Sequence, residues 1–183
     1  MKLFSSFSAF ILSILVFSYV SINAQNFPRG KSGRTVAQNV ERQILRMPRY
    51  EVFDYIGYSI NGGTVTLVGK VRNAINKSDA ENRVEDIAGV TQVVNNIEIL
   101  PLGSFDDSIR LNLYRQLSNS AGLYRYFWAS NPSVRLIVDR GNVSLEGFVS
   151  NRGDYNIMNV VANSVPGVFS VTNNLVIENG RAR

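Results

Sequence analysis

The sequence predicts an α+β protein built from two tandem αββαβ modules, each a three-stranded mixed sheet with two helices on one face. An internal repeat carries this prediction. The motif Gly63-Thr-Val-Thr-Leu-Val-Gly69 recurs as Gly141-Asn-Val-Ser-Leu-Glu-Gly147, an offset of 78 residues, and the same offset relates residues 93–99 to residues 171–177. A long repeat at fixed offset indicates a duplicated structural unit, and both copies show helical and strand patterns in the same order.

The first copy, residues 36–102, begins with a helix. A capping-box pattern, Thr35-Val-Ala-Gln38, precedes this helix, and Pro48 ends it. Its inward-facing residues recur at helical spacing: Val36, Val40, Ile44 and Met47.

The rest of the first copy predicts a strand, a hairpin, a second strand, a second helix and a third strand. The predicted ranges are 52–60, 61–63, 64–71, 73–88 and 91–99. The inner face of the second helix carries Ala80, Val84 and Ile87, and Gly89 ends the helix. Because a βαβ crossover makes its two strands parallel, the hairpin supplies the antiparallel neighbour of a mixed sheet.

The second copy, residues 104–179, repeats these elements. It begins with a second capping-box pattern, Ser104-Phe-Asp-Asp107. A helical stripe, a strand over 134–138, a turn at Arg140-Gly141, a second strand, a second helix and a strand over 171–177 follow. The two inward helix faces carry Ile109, Leu113 and Leu117, and then Met158, Ala162 and Val165. Upstream the offset falls from 78 to about 69 residues, so about nine extra residues lie between Ser118 and Asn131. Since each sheet leaves one face open, we expect the two modules to pack against each other.

The composition excludes several classes of function. Of the 183 residues none is Cys or His, which rules out disulfides, a thiolate nucleophile, a Ser-His-Asp triad and a zinc site that uses His or Cys. The net charge is +5, but residues 36–102 hold seven basic and eight acidic residues and residues 103–180 hold six of each. The excess lies towards the ends of the chain, whereas a nucleic-acid binder concentrates basic residues on a folded face.

Residues 1–24 have the layout of a secretory signal peptide. Lys2 is followed by an apolar stretch and by Ala24, a small residue where a signal peptidase would cut. The alternative is a retained membrane anchor, although the apolar run is short and contains three serines. Residues 25–35 are then a basic leader and residues 180–183 a short tail. An exported protein follows from the first interpretation.

Several repeated residues are predicted to be structural. Gly69 and Gly147 interrupt strands, as expected where a helix crosses closely, and Gly89 and Gly167 end helices. The pairs Asn95-Asn96 and Asn173-Asn174 are expected to bond to the backbone or to fix a bulge. The carboxylates of Glu81, Glu85, Asp106 and Asp107 are expected on solvated helix faces.

The candidate contact segment lies in the extra length of the second copy. It holds the one Trp of the chain with two Tyr, one Phe and one Arg: Leu123, Tyr124, Arg125, Tyr126, Phe127 and Trp128. Aromatic residues beside Arg are typical of a membrane interface or a protein interface. The competing interpretation is that they fill the space between the modules or cover the sheet, because exposed apolar clusters are uncommon.

The element order, the two G-x-V-x-L-x-G strands, the helix-ending Ala88-Gly-Val90 and Pro166-Gly-Val168, and the V-x-N-N-[IL] strands together resemble the BON domain. The resemblance covers residues 36–179. It implies a bacterial, periplasmic envelope protein associated with osmotic or envelope stress, with binding to phospholipid surfaces or with contacts to other envelope proteins. The family supplies no catalytic residues to carry over, and the long segment between Ser118 and Asn131 departs from its pattern.

Three functions follow as hypotheses. The first is a non-enzymatic protein that binds anionic phospholipid, with Trp128 exposed and binding that weakens with salt. The second is a protein-interaction or chaperone-like adaptor that acts through a sheet edge or the groove between modules. The third, an enzyme, lacks a set of candidate residues. No cofactor, no metal and no nucleic-acid partner is predicted.

Overall fold

The computed structural model describes residues 34–120, 122–128 and 131–178. It confirms the predicted α+β class with two αββαβ modules. The predicted signal peptide and most of the basic leader lie outside the described residues, as does the whole of the tail.

The first module consists of two helices and one three-stranded sheet. The elements are α1 (Val36–Leu45), β1 (Tyr55–Asn61), β2 (Thr64–Val71), α2 (Ala74–Glu85) and β3 (Gln92–Ile99). The strand order is β1-β2-β3, with β1 antiparallel and β3 parallel to the central β2. This mixed sheet is the one that the hairpin and the crossover predict.

Local signals in the sequence set the ends of these elements. The capping box of Thr35 and Gln38 is present at the start of α1. The side chain of Asn73 caps α2 by accepting from the Ile75 backbone N–H at 2.9 Å. Gly62, with φ +58°, supplies the left-handed residue that the tight turn between β1 and β2 requires.

The first strand starts later than the sequence predicts, at Tyr55 instead of residue 52. Val52 and Phe53 pack against the core of the second module. The Val52 carbonyl also accepts from the Leu136 N–H at 2.8 Å. These residues therefore satisfy their packing and hydrogen bonding outside their own sheet, a tertiary contact that strand propensity does not report.

The second module repeats the plan with one added turn of helix. Its elements are α3 (Ser104–Asn119), a 3-10 helix (Leu123–Tyr126), β4 (Val134–Asp139), β5 (Asn142–Val149), α4 (Arg152–Ser164), β6 (Ser170–Asn173) and β7 (Val176–Ile177). β4 is antiparallel to β5, and β6 and β7 both pair with β5 in parallel. β6 and β7 thus share the place that β3 holds in the first module.

The predicted capping box at the start of α3 is wrong. Gly103 is the N-cap, and no side chain caps the helix. Asp106 instead turns inward, where it is buried and accepts from the backbone N–H groups of Arg140 and Gly141 at 2.8 and 2.9 Å. Its carboxylate stabilises the hairpin turn between β4 and β5, so the expectation of a solvated face does not hold for this residue.

Each module has its own apolar core, and the helix faces predicted from periodicity point into it. The first core includes Val40, Ile44, Ala80, Val84 and Ile87. The second includes Ile109, Leu113, Leu117, Met158, Ala162 and Val165.

The two modules pack against each other along β4. All five residues from Val134 to Val138 are buried, so both faces of this strand are covered. Arg135 donates to the Glu51 carbonyl at 2.9 Å, and Lys70 pairs with Asp139 at 2.5 Å. These contacts agree with the expectation that the modules pack against each other, and the edge strand β4 lies at their boundary.

Candidate functional site

The segment Leu123–Trp128 divides into an inward and an outward half. Gly122, with φ +79°, turns the chain out of α3 and into the 3-10 helix. Leu123, Tyr126 and Phe127 are buried in the core of the second module. Tyr124 is 56% exposed and Trp128 81% exposed. Their ring centroids are 6.4 Å apart, so they form one aromatic pair on the surface, which we call the Tyr124/Trp128 platform.

A buried polar network holds the platform from below. The Tyr126 hydroxyl donates to the Asp154 carboxylate at 2.5 Å and accepts from the Ser150 backbone N–H at 3.0 Å. Arg125 pairs with the same carboxylate and lies over the Tyr126 ring, 4.8 Å from its centroid. Asn151 donates to Asp154 at 2.7 Å. The network ties the segment to the first turn of α4.

Arg125 remains a cation beside the platform. Its guanidinium donates to the Tyr126 hydroxyl at 3.1 Å, and this bond, followed by the negative charge of Asp154, raises the pKa of Arg125. The side chain is nearly half exposed. A charged, partly solvated donor thus lies next to two exposed aromatic rings.

The start of the second helix is stabilised by a different group in the first module than in the second. In the first module Asp54 is buried, and its carboxylate accepts from the Arg72 N–H at 2.7 Å and from the Asn76 side chain at 2.9 Å. At the repeat offset Arg72 corresponds to Ser150 and Asn76 to Asp154. The extra segment of the second module therefore supplies a tyrosine hydroxyl where the first module uses a carboxylate.

The inward half of the segment also reaches the module boundary. Phe127 contacts Tyr114 edge to face at a centroid distance of 5.9 Å, and Tyr114 contacts Phe53 of the first module at 6.3 Å. The two interpretations left open by the sequence thus each hold for different residues: part of the segment fills the space towards the first module, and the platform is exposed.

The structural requirement for glycine at positions 69 and 147 differs from the predicted one. Both have positive φ, +126° and +108°. A Cβ on Gly69 would lie 2.1 Å from the Tyr55 carbonyl oxygen, and one on Gly147 would lie 2.1 Å from that of Ser133. The close neighbour is the backbone entering the adjacent strand and not a crossing helix.

The remaining repeated residues also occupy matching places. Gly89 and Gly167 follow α2 and α4 with φ of +95° and +89°. The side chains of Asn95 and Asn173 donate to the carbonyls of Lys77 and Tyr155, at 3.0 and 3.2 Å. These bonds join the third strand of each module to its second helix. Asn96 is exposed, whereas the side chain of Asn174 donates to Glu146 at 2.7 Å.

Sequence reasoning missed a basic surface around α1, with Arg34 before the helix, Arg42 within it and Arg46 at its C-cap. Arg34, Arg42 and Arg46 lie close enough that repulsion from Arg34, and then from Arg46, lowers the pKa of Arg42. None of the three makes an ion pair within the described residues. The near-zero net charge of residues 36–102 concealed this local excess of positive charge. The spacing of Arg42 and Arg46, which are four residues apart at the end of a predicted helix, could have indicated it.

In the part of the chain that the structure describes, no group of three or more carboxylates is placed to hold a metal ion. None of the helices in the described ranges combines the length and the apolar character needed to cross a bilayer.

The chain matches one family model twice. The family model of the BON domain matches residues 33–101 and, a second time, residues 105–179. No curated protein matches the chain. The solved C-terminal domain of CdsD, the structural protein of the type III secretion system of Chlamydia trachomatis, is 14% identical with a TM-score of 0.32, covering 81% of this chain and 100% of that one. A second CdsD structure is 15% identical with a TM-score of 0.29, covering 80% and 93%.

Proposed function

Because the chain belongs to the BON domain family, whose members occur in the periplasm and cell envelope and are in general non-catalytic, we propose that it binds anionic phospholipid surfaces through the Tyr124/Trp128 platform. In this proposal it is an exported envelope protein that acts in osmotic or envelope stress. The observation that carries the proposal is the exposure of Trp128, 81%, on a rigid base.

The chemistry of the platform suits the boundary between headgroups and acyl chains. Trp and Tyr each combine an apolar ring with a polar group, so they are enriched where one end is apolar and the other is wet. The buried network under Tyr126 fixes the backbone, so little conformational entropy is lost on binding. The platform can therefore enter an interface without refolding.

The expected affinity is modest and depends on charge. A Trp side chain buries roughly 150–250 Å², so transfer of its exposed part contributes at most about 3–5 kcal/mol at about 25 cal/mol per Å². That alone corresponds to a Kd of about a millimolar. Arg42 and Arg46 would each add about 1 kcal/mol if they approach an anionic surface. Arg125 would add less, because its charge is paired with Asp154. Binding should thus be reversible and weaken as salt rises.

Vesicle co-sedimentation tests the proposal. Protein comprising residues 25–183 is mixed with phosphatidylglycerol vesicles and with phosphatidylcholine vesicles at low and high salt. The proposal expects binding to the anionic vesicles alone, reduced by salt and lost when Trp128 and Tyr124 are both changed to Ser.

The matched control is Phe169→Ser, which removes another exposed aromatic ring (73%) of the same module. This variant should bind as the unchanged protein does. Equal binding by the Tyr124 and Trp128 double variant would refute the assignment of the platform as the lipid-binding surface. If the unchanged protein does not bind anionic vesicles at low salt, lipid binding itself is refuted, and the alternative, a protein-binding adaptor of the envelope, is favoured.

A further inference from the structure

The outer edge of β1 carries backbone groups without partners. Asn61 closes a two-residue turn, so alternate residues of the strand face β2 and the residues between them face outward. The Ile56 N–H points outward, since it donates to the Tyr50 hydroxyl at 3.0 Å. Tyr58 and Ile60 therefore direct their N–H and C=O groups to the same side, where the described residues supply no partner.

The equivalent edge of the second module is already occupied. At the offset of 78 residues, Tyr58 corresponds to Leu136 and Ile60 to Val138. The Leu136 N–H donates to the Val52 carbonyl at 2.8 Å, and the Val138 carbonyl accepts from Arg110 at 2.6 Å. The protein thus shows that this edge of a module accepts chain from outside its own sheet.

A groove of about 440 Å³ lies along the first half of β1, from Tyr55 to Tyr58, and leads towards the outward groups of Ile60. One wall comes from Ile44 and Leu45 of α1, and the other from Pro132 and Phe148 of the second module. Phe148 is half exposed. An extended chain in this groove would meet backbone groups on the floor and apolar side chains on both walls.

A buried cation lies at the inner end of the groove. Arg135 is 4% exposed, its guanidinium lies 4.2 Å from the centroid of the Tyr50 ring, and it donates to the Glu51 carbonyl. No carboxylate lies within 4.0 Å of it in the described ranges. Burial lowers the pKa of Arg135, and the charges of Tyr50 and of the buried Asp54 oppose this shift only in part. Because no carboxylate of the described residues bonds directly to Arg135, a carboxylate that enters the groove and does so would be stabilised there.

We propose that the open edge of β1 binds an extended polypeptide segment that adds a fourth strand to the first sheet and presents a carboxylate to Arg135. The alternating outward groups of Tyr58 and Ile60 match a peptide backbone and not a lipid chain. Glu41 on the α1 wall disfavours a second acid at that side, so the segment carries its carboxylate at the Arg135 end and apolar residues elsewhere. This surface shares no lining residue with the Tyr124/Trp128 platform.

The probe is a capped nine-residue peptide of alternating valine and threonine with one aspartate, and its twin has asparagine at that position. Protein comprising residues 25–183 is labelled with ¹⁵N, and amide shifts and hydrogen exchange are followed during titration. The aspartate peptide should shift and protect the amides of Tyr58 and Ile60. The asparagine twin should bind about tenfold more weakly, as expected for loss of a charged hydrogen bond. Unchanged amides at these two residues, or equal binding of both peptides, would overturn the proposal.

Two variants and a control complete the test. Ile60→Pro removes an outward N–H at an edge, where proline is tolerated, and should abolish peptide binding. Phe148→Ser opens one wall and should weaken binding several-fold, whereas Val160→Ser, at an exposed position of α4, should leave it unchanged. Full-strength binding by folded Ile60→Pro would overturn the proposal. If this variant does not fold, the amide data and Phe148→Ser decide.

Discussion

Removal of one hydroxyl, by Tyr126→Phe, should loosen the base of the Tyr124/Trp128 platform. The ring and its packing remain, but Asp154 loses a donor at 2.5 Å and the Ser150 N–H loses its acceptor. Hydrogen bonds to charged groups contribute about 1.5–3 kcal/mol, and Asp154 keeps other donors, so we expect a loss of about 2 kcal/mol. If both modules, residues 34–183, unfold as one unit, a loss of about 2 kcal/mol should lower the Tm by about 4–8 °C.

Chemical denaturation followed by circular dichroism measures this effect. The matched control is Tyr124→Phe, because the Tyr124 ring is exposed and no hydrogen bond of its hydroxyl is seen within the described residues. The control should change the free energy of unfolding by less than about 0.5 kcal/mol. A loss that is equally small for Tyr126→Phe would refute the reasoning that the network holds the segment.

Three further predictions follow from the geometry. Gly147→Ala should lower the free energy of unfolding by at least about 3 kcal/mol, because the added Cβ would lie 2.1 Å from the Ser133 carbonyl oxygen. The control is Gly57→Ala, whose Cβ would make only ordinary van der Waals contacts and should be nearly neutral. Denaturant titration compares the two variants. Asp106→Ala should cost about 2–4 kcal/mol, since two turn N–H groups lose their acceptor, and amide exchange at Gly141 should accelerate. Hydrogen bonding to Asp139 raises the pKa of Lys70. The contact therefore stabilises the fold fully below the ordinary lysine pKa of about 10.5, and this stabilisation is lost as pH rises through the higher pKa of the folded state. The difference in unfolding free energy between the unchanged protein and Lys70→Met should shrink above that pH, and a difference independent of pH would contradict the assignment.

The repeat made the fold predictable from the sequence. Two copies with the same order of helical and strand patterns determine the class, the mixed sheet and the helix faces that enter each core. The turn residues also act locally, so the hairpin at Gly62 follows from short-range rules. The helices end before the predicted glycines: α2 ends at Glu85 and not at Gly89, and α4 ends at Ser164 and not at Gly167.

Contacts between distant residues limited the prediction elsewhere. Val52 and Phe53 have strand-forming side chains, yet the second module takes them into its own core. Asp106 lies in the first turn of a helix, where an exposed carboxylate is expected, yet a hairpin 34 residues away offers it two N–H donors. In both cases a tertiary partner outweighs the local preference, and the sequence does not show that partner.

The candidate site was located by composition but not resolved into its parts. The segment is recognisable because five of its six residues are aromatic or charged. A single 3-10 turn is too short to show the repeated spacing by which a buried helix face is distinguished from an exposed one. Tyr126 and Trp128 are two residues apart and equally aromatic, and only the structure shows that one anchors the segment and the other is exposed.

The lipid proposal and the peptide proposal place different demands on the same fold. The platform requires a fixed surface on the second module, and the extra segment supplies one through Tyr126. Peptide binding requires an unpaired strand edge at β1. The first module keeps this edge open, because its loop at Val52 bonds to β4 of the second module and not to β1. A duplicated module has thus acquired two different surfaces from one pattern.

Quenching of Trp128 by lipids with brominated acyl chains tests the central claim most directly, because it is the one Trp of the chain. Anionic vesicles containing these lipids should quench its emission and shift it to shorter wavelength, while zwitterionic vesicles leave it unchanged. Binding to anionic vesicles without quenching of Trp128, or no binding at low salt, would contradict the assignment of the Tyr124/Trp128 platform as the lipid-binding surface.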